Sequence, residues 1–154
     1  MASSRYATDL LLSAPEGVAL LGDSEDLQAR DRVELSREMT ATLSRHQVPE
    51  HAIEAVRAIR RRELLRISAA DISGATDVER VGSALSDVTD ATLEAALAIA
   101  IREVERSREQ QLPTRFAVIG LGRLGGREAA YASDADVLFA VSYTHLTLPT
   151  SDLV

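Results

Sequence analysis

Through roughly the first two thirds of the chain, apolar residues return every three or four positions with polar residues between them, the spacing of a helix that buries one face. Between about Asp31 and His46, Leu35, Met39 and Leu43 step by four, with Val33 beside them, and predict one helix. Pro49 suits the first turn of a second, where its missing N–H would be unpaired in any case. That helix is expected from about Glu50 to Asp71, with Ile53, Val56, Ile59, Leu64 and Ile67 buried and Gly74 ending it. The longest is expected over about 78–108, capped by Thr76 or Asp77. Val78, Val81, Leu85 and Val88 step by three and four along it, and Ala91, Ala95 and Ile99 extend the stripe with small residues that let another helix approach. At a rise of 1.5 Å per residue it would be about 45 Å long. Residues 6–22 read as a short helix, a Pro-Glu-Gly break and a second apolar turn.

After the polar stretch RSREQQLPT (residues 106–114) the period changes. Phe116 to Gly120 and Ala135 to Val141 are short, continuous apolar runs, the pattern of buried strands. Between them lie Gly120, Gly122, Gly125 and Gly126, then Arg127 to Tyr131, with room for a helical turn or two. The expected architecture is therefore mostly α, followed by strand, Gly-rich turn, short helix and strand. There are no internal repeats and no heptads.

Composition narrows the chemistry. The 154 residues include no Cys, so disulfides and Cys-based metal or redox sites are excluded. Aromatics are 3% and Trp is absent, which argues against stacking platforms for single-stranded nucleic acid. A net charge of -7 argues against nucleic acid or a polybasic membrane anchor as partner. The apolar run Leu10-Leu11-Leu12 is far below the roughly 20 residues of a membrane span, so a cytoplasmic protein is expected. All 17 basic residues are Arg. Without Lys there is no Walker-type phosphate loop and no Schiff base.

The one dense constellation is GLGRLGGREAAYASDAD, Gly120 to Asp136. It admits two readings. Gly120-Leu-Gly122-Arg-Leu-Gly125 fits the dinucleotide fingerprint G-x-G-x-x-G after a strand, but that motif needs a full helix and an acidic residue about 20 positions on. Here the run carrying Asp134 and Asp136 begins within ten residues of Gly125. In the other reading, Gly125-Gly126 opens a short helix whose backbone N–H groups cradle a phosphate without Lys. Asp134 and Asp136, at i and i+2 on a strand, then present both carboxylates to one side. Such a pair is stabilised by a divalent cation, and Mg²⁺ is the one that sits between carboxylates and nucleotide phosphates. Ser133 is placed to cap the turn or touch a phosphate. The plain alternative is a polar turn entering an edge strand.

GLGRLGGREAAYASDADVLF, Gly120 to Phe139, resembles the G-x-G-x-x-G-G-x-E-L-x-x-x-S-D-x-D-hydrophobic block of glutamine synthetase adenylyltransferases, which attach AMP to glutamine synthetase and remove it. RRRELLRISAAD (Arg60 to Asp71), ALSDVTDATLEAAL (Ala84 to Leu97) and RYATDLLLSAPEGVALLGD near the start also resemble the helical segment before that family's core. The resemblance runs from residue 5 to about 141. It departs at Ala129 and Ala130, where the family commonly has Leu and then a polar residue or Gly. It implies an all-helical segment over 1–112 and the truncated start of an α+β nucleotidyltransferase core over 113–141. A third metal-site carboxylate is expected on a later strand, beyond this chain.

The resemblance further implies Mg²⁺ and ATP, with Asp134 and Asp136 as metal-binding, catalytic residues and Gly125, Gly126 and Ser133 at the phosphates. It implies glutamine synthetase as partner and a PII-type signalling protein as regulator. The wording is closest to the C-terminal, adenylylating copy of high-GC actinobacterial members, in keeping with the all-Arg usage; the adenylyl-removing copy is the other choice. The final residues, 142–154 (SYTHLTLPTSDLV), depart in composition from the rest and resemble translated read-through of a sequencing adapter. The expectation is an inactive fragment of an active parent. A non-catalytic helical interaction module and a dinucleotide-binding protein are the rival readings. Arg57, Arg60, Arg61, Arg62 and Arg66 are expected to form a solvated basic face, or else a docking patch, and His46 and His51 to lie at the surface.

Overall fold

The computed structural model describes residues 5–13, 15 and 27–142. Most of them are helical: α1 (Arg5–Ser13), α2 (Arg32–Arg45), α3 (Pro49–Ser73) and α4 (Val78–Arg108) precede strand β1 (Phe116–Gly120), the single turn α5 (Gly122–Gly125) and strand β2 (Val137–Val141). The second apolar turn expected near residues 17–22 and nearly all of the 142–154 tail lie outside the described residues. No helix among them is long and apolar enough to cross a membrane.

The helix ends follow from local chemistry. Asp31 caps α2 by accepting from the Glu34 N–H at 2.8 Å while the Glu34 carboxylate reaches back to the Asp31 N–H, a reciprocal capping box. Pro49 opens α3, and Gly74, in the left-handed region at φ 73°, closes it. Asp77, rather than Thr76, caps α4 through the Arg80 N–H at 2.8 Å. The last carbonyls of α2 are satisfied from outside: Arg102 of α4 donates to Leu43 O at 2.8 Å and to His46 O at 2.9 Å.

Helix α4 is the spine. Helices α2 and α3 pack on it, and α1 packs on α3. Leu35 and Met39 of α2, Leu65 and Ile67 of α3, and Val88 and Ala91 of α4 are almost fully buried between them. Val33, Ile53 and Val78 are exposed, contrary to expectation. Each lies beside or within a turn of a buried core residue (Leu35, Ala52 and Val81) but off the face that residue buries.

Of the basic cluster on α3 only Arg57 is exposed, and the rest is not a solvated face. Arg60, Arg61, Arg62 and Arg66 are half-buried. Glu63, wholly buried, accepts from both the backbone N–H and Nε of Arg30, each at 2.9 Å, with Arg66 Nη1 3.6 Å away. Glu38 of α2 bridges Arg30 and Arg62. Five charged residues from three stretches of chain are thus tied between α2 and α3. Burial alone holds the Arg60 guanidinium below its ordinary pKa, with Tyr6 beside it acting in the opposite direction.

Strands β1 and β2 pair antiparallel, Phe116 against Val141 through to Gly120 against Val137. The ribbon is not the buried one that its sequence predicts: Ile119, Leu138, Phe139 and Val141 are all exposed. The apolar runs encode strands that could be covered on both faces, but among the described residues α4 and α5 are the only helices that touch β1. Antiparallel pairing across a one-turn connection also removes the dinucleotide reading, which requires parallel strands and a crossover helix.

Candidate active site

The Gly-rich turn owes its shape to close backbone approach. A Cβ at Gly125 would lie 2.4 Å from the Gly120 carbonyl oxygen, well inside contact distance. Only glycine lets the strand end and the helix fold so tightly together. Gly122 has φ 53°, in the left-handed region that favours glycine, and a Cβ there would sit 3.0 Å from Asp136 Oδ2. The Asp136 carboxylate therefore rests against the start of α5. Its own carbonyl accepts from the Leu121 N–H at 2.8 Å, which carries the β1–β2 ladder one step past Val137.

Two expectations about this turn are corrected. Gly125 and Gly126 end α5 rather than open it: their N–H groups donate to Leu121 O and Gly122 O, each at 2.9 Å. They are spent inside the turn and do not point at a phosphate; what the two glycines provide is thinness. Arg127 to Tyr131 is not helical, because Arg127 has φ 59° and breaks the helical path at once. Asp134 and Asp136 likewise precede β2, which begins at Val137, instead of lying within it. Both are exposed. No group of three or more His, Cys, Asp or Glu suited to a metal occurs among the described residues.

Ser133 caps a turn: its hydroxyl accepts from the Ala130 N–H at 2.9 Å while its own N–H donates to Ala130 O at 3.0 Å. Together with Asp134, Ala129 and Tyr131 it lines a small cleft floored by Leu64 and Leu85, with Arg60 at its side. Tyr131 donates to Asp71 Oδ2 at 3.1 Å and stacks, tilted, on Tyr6 with ring centroids 5.1 Å apart. Burial, then the Asp71 hydrogen bond, pushes the Tyr131 hydroxyl above its ordinary pKa.

The residues that hold the turn on the helices were not singled out from sequence. Arg127 makes a bidentate pair with Asp87, Nη1 to Oδ1 and Nη2 to Oδ2 each at 3.0 Å, and Nη2 also reaches Ser83 Oγ at 2.6 Å. Beside them Gly82 of α4 leaves room for the backbone of residues 127–129; a Cβ there would lie 3.3 Å from Glu128 Cα. Ser86 Oγ accepts from the Ala129 N–H at 3.4 Å. The available signal was Gly82, since glycine inside a long helix marks a packing reason.

Gly125→Ala tests the close approach. The clash is with backbone, which must move, so a loss of about 1–3 kcal/mol is expected. Hydrogen exchange of the Leu121 amide should speed up as its bond to Asp136 opens; unchanged exchange would show that the turn absorbs the methyl group.

The family model described as glutamate-ammonia ligase adenylyltransferase matches residues 1–150. A bifunctional glutamine synthetase adenylyltransferase/adenylyl-removing enzyme of Cutibacterium acnes is 46% identical over 141 residues, covering 92% of this chain and 14% of that protein. Proteins of the same description from Streptomyces coelicolor, 46% identical, and Mycolicibacterium smegmatis, 43% identical, each match over 90% of this chain, and cover 15% and 14% of their own lengths. The chain thus spans about one seventh of the length of these curated relatives.

Proposed function

This chain belongs to the glutamate-ammonia ligase adenylyltransferase family, and from that premise we propose that it is the helical lead-in and first strand pair of a nucleotidyltransferase core that transfers AMP from ATP to a Tyr of glutamine synthetase. The boundary falls near residue 112, and the adenylylating copy is the reading we adopt. The observation that carries the proposal is the turn that seats the Asp136 carboxylate against Gly122, two residues from Asp134 at the mouth of the β-ribbon. Exposed carboxylates beside a thin glycine turn leave space for a triphosphate.

The residues present fit Mg²⁺, which is commonly held by one or two carboxylates together with substrate phosphates and water. Asp134 and Asp136 would hold it, and bound there it would neutralise charge on the triphosphate and on the departing pyrophosphate. The chain's own part is positioning. Glycines at 122, 125 and 126 keep side chains out of the phosphate path, and Ser133 fixes the turn from which Asp134 projects. In the transfer, the phenol oxygen of the target Tyr bonds to the α-phosphorus of ATP and gives up its proton to water. The bond from that phosphorus to the β-phosphate oxygen breaks, and pyrophosphate leaves with the electron pair. In the removing direction, inorganic phosphate attacks the Tyr-AMP phosphorus, and ADP and free Tyr result. A PII-type protein as regulator would act on the whole enzyme.

The test uses the full-length parent protein, glutamine synthetase and ATP labelled at the α-phosphate. Label on a glutamine synthetase Tyr, dependent on Mg²⁺ and accompanied by pyrophosphate, is expected. Label released from pre-adenylylated enzyme as ADP, with none added from ATP when the other core is inactivated, would assign this segment to the removing copy. Label moving in neither direction would overturn the proposal.

A further inference from the structure

Outside the turn itself, the most specific polar contact in the region joins it to a helix that carries none of the candidate site residues. Arg127 stands directly after Gly126, the cap of α5, and the Gly126 N–H is bonded to Gly122 O, the residue on which the Asp136 carboxylate rests. At the other end of Arg127, the two terminal guanidinium nitrogens meet both oxygens of Asp87, whose side chain is only 12% exposed. A short run of contacts thus leads from the first third of the long helix α4 to the carboxylate.

Arg127 holds this place at a conformational cost. Its φ of 59° is one that a side-chain-bearing L-residue adopts only at about 1–2 kcal/mol, while glycine adopts it freely. Glycine would serve if the position had only to turn the chain. An arginine in that conformation, paired in bidentate fashion with a nearly buried carboxylate and also bonded to Ser83, points to a task beyond chain reversal. Gly82 and Ser86 on the same face of α4 receive the next two residues, so the docking is shaped as well as charged.

We propose that the Arg127–Asp87 pair is a positioning device that sets the Asp136 carboxylate for metal binding by fixing the Gly-rich turn to α4. Neither residue touches substrate; both act through the turn. The inference rests on the assignment of Asp136 to Mg²⁺ in the proposed transferase.

The experiment measures initial rates of adenylyl transfer by the full-length protein across Mg²⁺ concentration, together with the thermal midpoint. Arg127→Gly removes the clamp and relieves the backbone strain. That relief offsets only part of the cost of leaving Asp87 unpaired, so a lowered midpoint is expected together with a rise of about tenfold or more in the Mg²⁺ concentration for half-maximal rate, as losses of supporting contacts around metal ligands produce. Asp87→Asn is expected to shift it in the same direction, and Arg127→Lys, which retains one ion pair, to fall between. Arg127 is half exposed, so its two variants carry the test if Asp87→Asn does not fold. Mg²⁺ dependence within twofold of wild type in both Arg127 variants would overturn the proposal, and so would a loss of rate that merely follows a lowered midpoint. Asp136→Asn measured alongside separates the layers: if it stays active, the site assignment fails and the clamp with it; if it is inactive while the Arg127 variants are unshifted, the clamp alone fails.

Discussion

Asp136→Asn in the full-length protein is expected to lower adenylyl transfer by on the order of 10²–10³-fold, the equivalent of about 3–4 kcal/mol of lost charge stabilisation. The substitution is nearly isosteric. The Asp136 side chain is exposed, and the hydrogen bond that locks the turn uses its backbone carbonyl, which Asn retains. An amide of the same size also fits against Gly122, where the carboxylate oxygen lies 3.0 Å from the position of an absent Cβ. The loss should therefore be confined to function, with circular dichroism and the thermal midpoint unchanged. A variant that kept its full Mg²⁺-dependent rate would favour the rival reading, in which this part of the chain is an interaction module with a vestigial glycine turn.

Glu63→Ala is expected to produce the largest loss of stability, about 3–5 kcal/mol, the usual cost of removing one partner from a buried ion pair. The side chain is 0% exposed and satisfies Arg30 twice, with Arg66 close by. Its removal strands Arg66 and the Arg30 backbone N–H, and leaves the Arg30 guanidinium with Glu38 alone. Hydrogen exchange along α2 and α3 in the full-length protein would register the loss as faster exchange in both helices. Glu54→Ala provides the contrast: its pair with Arg57 is exposed on both sides, and such pairs contribute about 0–1 kcal/mol. Equal effects at the two positions would refute the view that Glu63 ties the helices together. Glu38 adds a pH dependence. Burial opposes its ionisation, but hydrogen bonds from Arg30 and Arg62 outweigh burial and hold its carboxyl below the ordinary range. Its contribution is thus complete above the unfolded carboxylate pKa of about 4.3 and disappears as pH falls through the lower folded value.

What could be read in advance, and what could not, divides along physical lines. The Leu35, Met39, Leu43 stripe, Pro49, Gly74 and Asp77 are local signals, each fixing its own turn of helix, and the three long helices lie where these place them. The Gly/Asp block also announced a tight turn between two strands. The sense of that turn is not encoded locally, since a Gly-Gly pair can begin or end a helix and only the partners of its N–H groups decide which. Strand burial is not legible in the same way, because an apolar run records what a segment is suited to lie against, not what lies there. The ionic contacts were the least legible. Arg30 and Glu63 are 33 positions apart, and Asp87 and Arg127 are 40. Charge carries no periodicity, and the pairing is settled only once helices have packed.

Helix α4 holds two distant parties on fixed bearings. Near its start, Gly82, Ser83, Ser86 and Asp87 receive the exit of the glycine turn; toward its end, Arg102 closes off α2. Each added residue in an α-helix rotates everything beyond it by about 100°. One residue inserted between Asp87 and Arg102 would leave the helix intact as a helix, yet no single rotation could then satisfy both ends. The segment can vary in chemistry on its outer side, but it is phase-locked in length.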